Sequence, residues 1–253
     1  MDLSFAGATL AGYLLALGRT AGFVLIAPPF NTRAVPAQVR AGVALALAVP
    51  LSTWTTTDAP ALTDNALVGK LVLQILMGVT IGFFVMLAVA AIQTIGDLID
   101  VAGGFSITIG MDPLLLVQNS VMGRLHQLIA ITLLFVGEGH LVVLQGLSRS
   151  IQLMPDPVLN LQSVADEVTT GVATLFLSAI QITAPILAAL LIADIALGLL
   201  TRAAPALNAF ALAFPLKILL SLLLIGLVLT QLPGALDRYL DQAASIMLRL
   251  SGG

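Results

Sequence analysis

Long apolar stretches almost free of charge dominate this chain, and they leave it few ways to fold. Six can be drawn, at about residues 8–30, 39–53, 67–93, 125–148, 171–200 and 205–231. Crossing the hydrocarbon of a bilayer takes about 20 apolar residues in a helix. Inside lipid a backbone must satisfy its own hydrogen bonds, so such stretches are helices and not open strands. The second stretch is short and ends near Pro50. Composition agrees: 59% of residues are hydrophobic and 9% charged, against about 25% charged in a soluble domain. The predicted fold is an all-α membrane protein of about six apolar helices arranged as kinked hairpins. Pro185 and Pro215 fall inside the last two, where each removes a backbone hydrogen bond.

Several function classes are excluded early. The net charge is -3, with no clustered basic face of the kind phosphate binding needs. Nucleic acid is therefore not an expected partner, and membrane lipid is. The chain has no cysteine, which removes disulfides, thiolate metal sites and cysteine nucleophiles together. The start, Met1-Asp2-Leu3-Ser4-Phe5, lacks the basic region of a secretory signal, so the first stretch reads as a retained helix. Arg33 and Arg40 flank the first turn, and residues 54–65 are polar and acidic. The positive-inside rule places the turn in the cytoplasm and 54–65 outside.

The connection over residues 96–124, GDLIDVAGGFSITIGMDPLLLVQNSVMGR, is the most unusual part of the chain. It is too apolar for a solvated loop, and Gly103, Gly104, Gly110 and Pro113 break it too often for one continuous helix. Irregular backbone at membrane depth persists only when buried in protein or lining a cavity. The expectation is a buried Gly/Pro-interrupted loop; an interfacial loop on the membrane surface is the alternative.

Charged groups within the apolar stretches are the remaining candidates, because they are costly there. At 1.5 Å per residue Asp194 lies about 12 Å from the turn at Arg202, and Lys217 about 18 Å from the turn at Pro205. A lysine stem spans the difference. This intramembrane pair is either a brace between two helices or part of an ion or proton relay. Glu138 and His140 are two apart and point to different helix faces. His126 and His140 share a face but lie about 21 Å apart, so no metal site and no cofactor is expected. Gly78 and Gly82 have the small-xxx-small spacing that lets helices approach closely. No Walker loop, GxSxG elbow, HExxH motif or paired-carboxylate site occurs, so an enzyme is not expected. An autonomous small-solute transporter or ion channel stays open as an alternative, although no repeat relates the two halves.

One ordered set of residues resembles a known family. It runs through Arg19, Pro29-Phe30, Val35-Pro36, Arg40, Gly78, Gly82, Gln93, Gly96, Asp100 and Gly103. It continues with Asp112-Pro113, Gly139-His140, Ser150, Pro155, Pro185 and Asp194, and closes on Arg202, Pro205, Asn208, Phe210, Pro215 and Lys217. This set resembles the flagellar biosynthetic protein FliR family, a subunit of the bacterial type III export gate with similar injectisome counterparts. Glu138 and Ala206 depart from the family pattern, where Asp or Asn and Gln are common.

The resemblance implies a structural and gating subunit that joins FliP-like and FliQ-like subunits, and an FlhB-like one, to pass unfolded flagellar substrates across the inner membrane at the basal body. It implies a FliP-like part over 1–170, and a FliQ-like hairpin with a C-terminal tail over 171–253. It also implies that residues 104–122 plug the closed pore. Gly104, Phe105, Ile107, Ile109, Gly110, Met111, Pro113, Leu114, Leu115, Leu116 and Met122 would then form an apolar, deformable seal with glycine hinges.

Overall fold

A computed structural model describes residues 3–32, 34–56, 60, 64–105, 120–157, 160–204 and 209–250. Among them the chain is all α-helical, with eight helices in order: α1 Leu3–Ile26, α2 Ala37–Thr55, α3 Ala66–Gly103, α4 Val121–Val136, α5 Gly139–Leu153, α6 Leu161–Ala203, α7 Ala209–Leu229 and α8 Leu232–Leu250. Four stretches are long and apolar enough to cross a membrane: Gly7–Ile26, Ala66–Gly103, Leu161–Ala203 and Leu212–Leu229. The bent pair α4 and α5 makes a fifth if counted as one span.

The six apolar stretches all fall on these helices, and three differences have local causes. The stretch over 125–148 is two helices that meet at 72°. Glu138 takes the left-handed backbone there (φ 59°) and Gly137 ends α4. The C-terminal tail is a helix, α8, whose apolar residues Leu232, Leu236, Tyr239, Leu240, Ala243 and Met247 are buried on one side. The connection drawn over residues 96–124 is shorter at both ends: α3 runs on through Gly96 and ends at Gly103, the first of the breaks named from sequence, and α4 begins at Val121. Gly96 marks a close approach and not a break, because a Cβ on it would collide with the Met122 carbonyl oxygen.

α3 and α6 hold 38 and 43 residues, contour lengths of about 57 and 64 Å. These are about twice the hydrocarbon thickness. A part of each must tilt strongly or be covered by headgroups, water or protein.

The chain divides into two compact units. The first comprises Met1–Ala88, Glu138–Val172 and Arg238–Gly253; the second comprises Val89–Gly137 and Ala173–Asp237. This geometric division differs from the division at 170/171, which concerns likeness to other subunits.

In the first unit α1 and α2 form an antiparallel hairpin. Thr55 Oγ1 donates to the Gly12 carbonyl (2.6 Å) and Thr20 Oγ1 to the Ala44 carbonyl (3.0 Å). α1 also crosses α3 at a glycine seam. A Cβ on Gly78 would collide with the Arg19 carbonyl oxygen, one on Gly22 with the Ile75 carbonyl oxygen, and one on Gly82 would lie 2.8 Å from the Phe23 carbonyl oxygen. Lipid offers no hydrophobic drive between helices, so such close backbone contact is what holds them.

Candidate functional site

Among the described residues two polar constellations join helices that are distant in sequence. The first lies in the first unit, around Arg19 on α1, which is completely buried. Its Nε donates to Gln74 Oε1 of α3 (2.6 Å). Its Nη1 donates to the Ser150 carbonyl (2.7 Å), and Nη2 to the Met154 carbonyl (2.8 Å). Gln74 Nε2 in turn donates to the Pro155 carbonyl (2.6 Å). The guanidinium thus binds α1 and α3 to the end of α5, sharing the Ser150 carbonyl with the Met154 amide (3.2 Å) and serving the Met154 carbonyl just past the last turn. An arginine suits the task because its planar fork offers several donors in fixed directions. Further out, Lys70 reaches Asp156 at 2.7 Å and Arg249 reaches Glu167 at 2.9 Å.

The second constellation lies in the second unit and frames the segment between α3 and α4. Ser120 caps α4, its Oγ accepting from the Gly123 amide (2.8 Å). Asp100 Oδ1 accepts from the Met122 amide (3.1 Å). Two of the four first-turn amides of α4 are thereby satisfied, one by its own cap and one by the last turns of α3. Gly96 and Gly123 let the two helices touch, since side chains there would collide with Met122 and Asp97. At the other end the Gly104 amide donates to the Asp100 carbonyl (3.1 Å), and Gly104 takes a φ of 80° that favours glycine. A Cβ on Gly103 would lie 2.5 Å from Ser221 Oγ of α7 and 2.9 Å from the Phe105 ring. Asp100 therefore bonds both ends of the segment, and the loop leaves and re-enters the fold through one closed stem.

The candidate residues read from sequence distribute as follows. Gly104, Phe105 and Met122 belong to this stem, with Met122 buried. Ile107, Ile109, Gly110, Met111, Pro113 and Leu114–Leu116 lie outside the described residues. Asp194 and Lys217 are brought together: Lys217 Nζ lies 2.6 Å from Asp194 Oδ1, with the lysine largely covered and the aspartate half exposed. Gly78 and Gly82 lie in the α1–α3 seam. The sequence reading missed the Arg19 clamp, although a lone charge in an apolar stretch is the same signal that singled out Asp194. It also missed Ser120, whose place just ahead of an apolar run is an N-cap signal.

The arrangement ties the end of α3 to the start of α4. A model of the family described as bacterial export proteins, family 1, matches residues 10–243 of the chain. The chain belongs to that family. A flagellar biosynthetic protein FliR of Pectobacterium carotovorum subsp. carotovorum is 29% identical to this export protein over 240 residues, covering 92% of this chain and 91% of the relative. The FliR of Escherichia coli K12 is 31% identical over 208 residues, covering 81% and 79%. An injectisome counterpart, Yop proteins translocation protein T of Yersinia pestis, is 31% identical over 179 residues, covering 69% and 67%. This chain is thus a membrane-embedded member of a bacterial export family, and the ordered residue set of the sequence analysis runs through most of the matched region.

Proposed function

We propose that this protein is the FliR-type subunit of a flagellar type III export gate in the bacterial inner membrane. The observation that carries this reading is the match to a flagellar FliR over more than nine-tenths of both chains. The injectisome counterparts are matched over less of the chain than that FliR, and the one covered most fully is only 23% identical, which favours the flagellum. On this reading residues 1–170 are the FliP-like part and 171–253 the FliQ-like hairpin with its tail. The chain joins FliP-like and FliQ-like subunits, contacts an FlhB-like one, and helps pass unfolded substrates.

Residues 104–122 are the plug of the resting channel. The stem of Asp100, Ser120, Met122 and Gly104 supports this role, because a plug must be anchored at both ends while its middle yields. Exposed apolar surface supports the assembly: Leu177, Ile192, Ile195, Leu199, Leu223 and Leu227 on α6 and α7 are each more than half exposed and need lipid or partner helices. The Asp194–Lys217 pair braces that hairpin.

The test is isolation of the tagged chain from its native membranes. It should emerge in one large particle with FliP-like and FliQ-like subunits, and its loss should abolish flagellar assembly. A chain that purifies alone and moves a small solute in liposomes would overturn the reading.

A further inference from the structure

The turn end of the α1–α2 hairpin holds a groove that the export reading leaves unused. It encloses about 290 Å³ and is walled by Ala21, Val24 and Leu25 of α1 and by Ala37 and Ala41 of α2. Among the described residues every lining side chain is apolar except that of Arg40, in the first turn of α2. Arg40 as a whole is partly exposed, but its Nε is buried and has no hydrogen-bond partner among the described residues. A buried donor left unpaired is costly, so this N–H calls for an acceptor that the described residues do not supply. α2 begins beside it: Pro36 is the N-cap residue and no side chain caps the helix. The positive end of a helix dipole thus adds to the charge of Arg40. The membrane-length stretch of α1, Gly7–Ile26, ends at the groove, one residue past Leu25. A helix of this length that crosses the bilayer ends at headgroup level, so with α1 spanning the membrane the groove lies there.

An occupant must be apolar along a narrow channel and anionic at one end. We propose that the groove binds an anionic phospholipid, with its phosphate on the Arg40 guanidinium and an acyl chain along Ala21, Val24 and Leu25. Arginine meets phosphate oxygens in a paired geometry, and basic pockets between membrane helices recognise anionic headgroups in the same way. A wholly apolar partner helix would match the wall but would leave the buried Nε unpaired. The inference does not depend on which secretion system the chain serves.

The experiment is native mass spectrometry of the full chain, purified in mild detergent and offered phosphatidylglycerol and phosphatidylcholine of identical acyl chains. One phosphatidylglycerol should be retained per chain, with a preference of about tenfold, about 1.4 kcal/mol, because both lipids offer a phosphate but the choline cation of phosphatidylcholine offsets its attraction to Arg40. Arg40→Gln should bring the two lipids within about twofold of each other, while Arg40→Lys keeps part of the preference because the charge remains. Ala41→Leu, at an exposed position of the wall, should weaken retention of both lipids; it is the arm that still reads if Arg40→Gln does not fold. Equal retention by the wild-type chain, or a preference unchanged in Arg40→Gln, overturns the site. So does a photocrosslinker at Ala37 that, in the assembled particle, captures a protein subunit and no lipid.

Discussion

Replacing Arg19 with methionine should loosen the first unit more than any other single change to its polar groups. Methionine matches the length of the side chain and removes every donor. Two acceptors then lose the donor that now holds them at 2.6 and 2.8 Å, Gln74 Oε1 and the Met154 carbonyl, while the Ser150 carbonyl keeps the Met154 amide. Each orphaned acceptor costs about 1–3 kcal/mol, so the gross loss is about 2–6 kcal/mol. Relief from holding a desolvated cation offsets part of that, which leaves a net loss of about 2 kcal/mol. For a chain of this size each kcal/mol moves the melting point by about 2–4 °C, so the shift should be about 4–8 °C downward. The assay is thermal unfolding of the detergent-solubilised chain followed by size-exclusion chromatography. Arg19→Lys should fall between the two, because one ammonium cannot serve three acceptors fixed by a fork. A methionine variant melting within about 2 °C of wild type would refute the reasoning, since it would mean the acceptors find other donors.

Three further outcomes follow from the same geometry. Gly78→Ala forces a methyl group into the Arg19 carbonyl and should cost about 1–3 kcal/mol by overpacking; Gly69→Ala on the same helix meets nothing within 4 Å and should be neutral or stabilising in the same melting assay. Ser120→Ala removes the cap of α4 and should destabilise by about 1 kcal/mol, read as faster amide hydrogen exchange at Met122 and Gly123 while exchange in α2 is unchanged. Asp194→Ala should lower the amount of assembled particle, and exchanging the charges, Asp194→Lys with Lys217→Asp, should restore part of it; normal assembly with lost secretion would assign the pair to a relay instead.

The apolar helices were readable because a bilayer-length run of uncharged residues has few alternatives. What escaped was local. α8 escaped because Asp237, Arg238, Asp241 and Arg249, all on its exposed side, break up the apolar run in sequence, so it reads as a polar tail until a partner surface is known. The bend between α4 and α5 escaped because an uninterrupted apolar run hides a turn made by Gly137 and a left-handed Glu138. The close approach at Gly96 was not legible, because a glycine that admits a neighbouring backbone and one that ends a helix are the same letter. At the candidate site, Asp194 and Lys217 stood near one turn, so their pairing could be posed from helix rise alone. The partners of Arg19 lie 55, 131 and 135 positions away, and no local pattern connects them. Asp100 needed the fold as well, since its bond to Met122 closes a loop of 22 positions.

The measurement closest to the central claim is ionic conductance of the inner membrane in cells whose gate carries this chain without residues 104–122. If that segment closes the resting channel, cells with a fully assembled particle should leak small ions and lose membrane potential without any export substrate present. An assembled particle that leaves conductance and potential unchanged would contradict the claim.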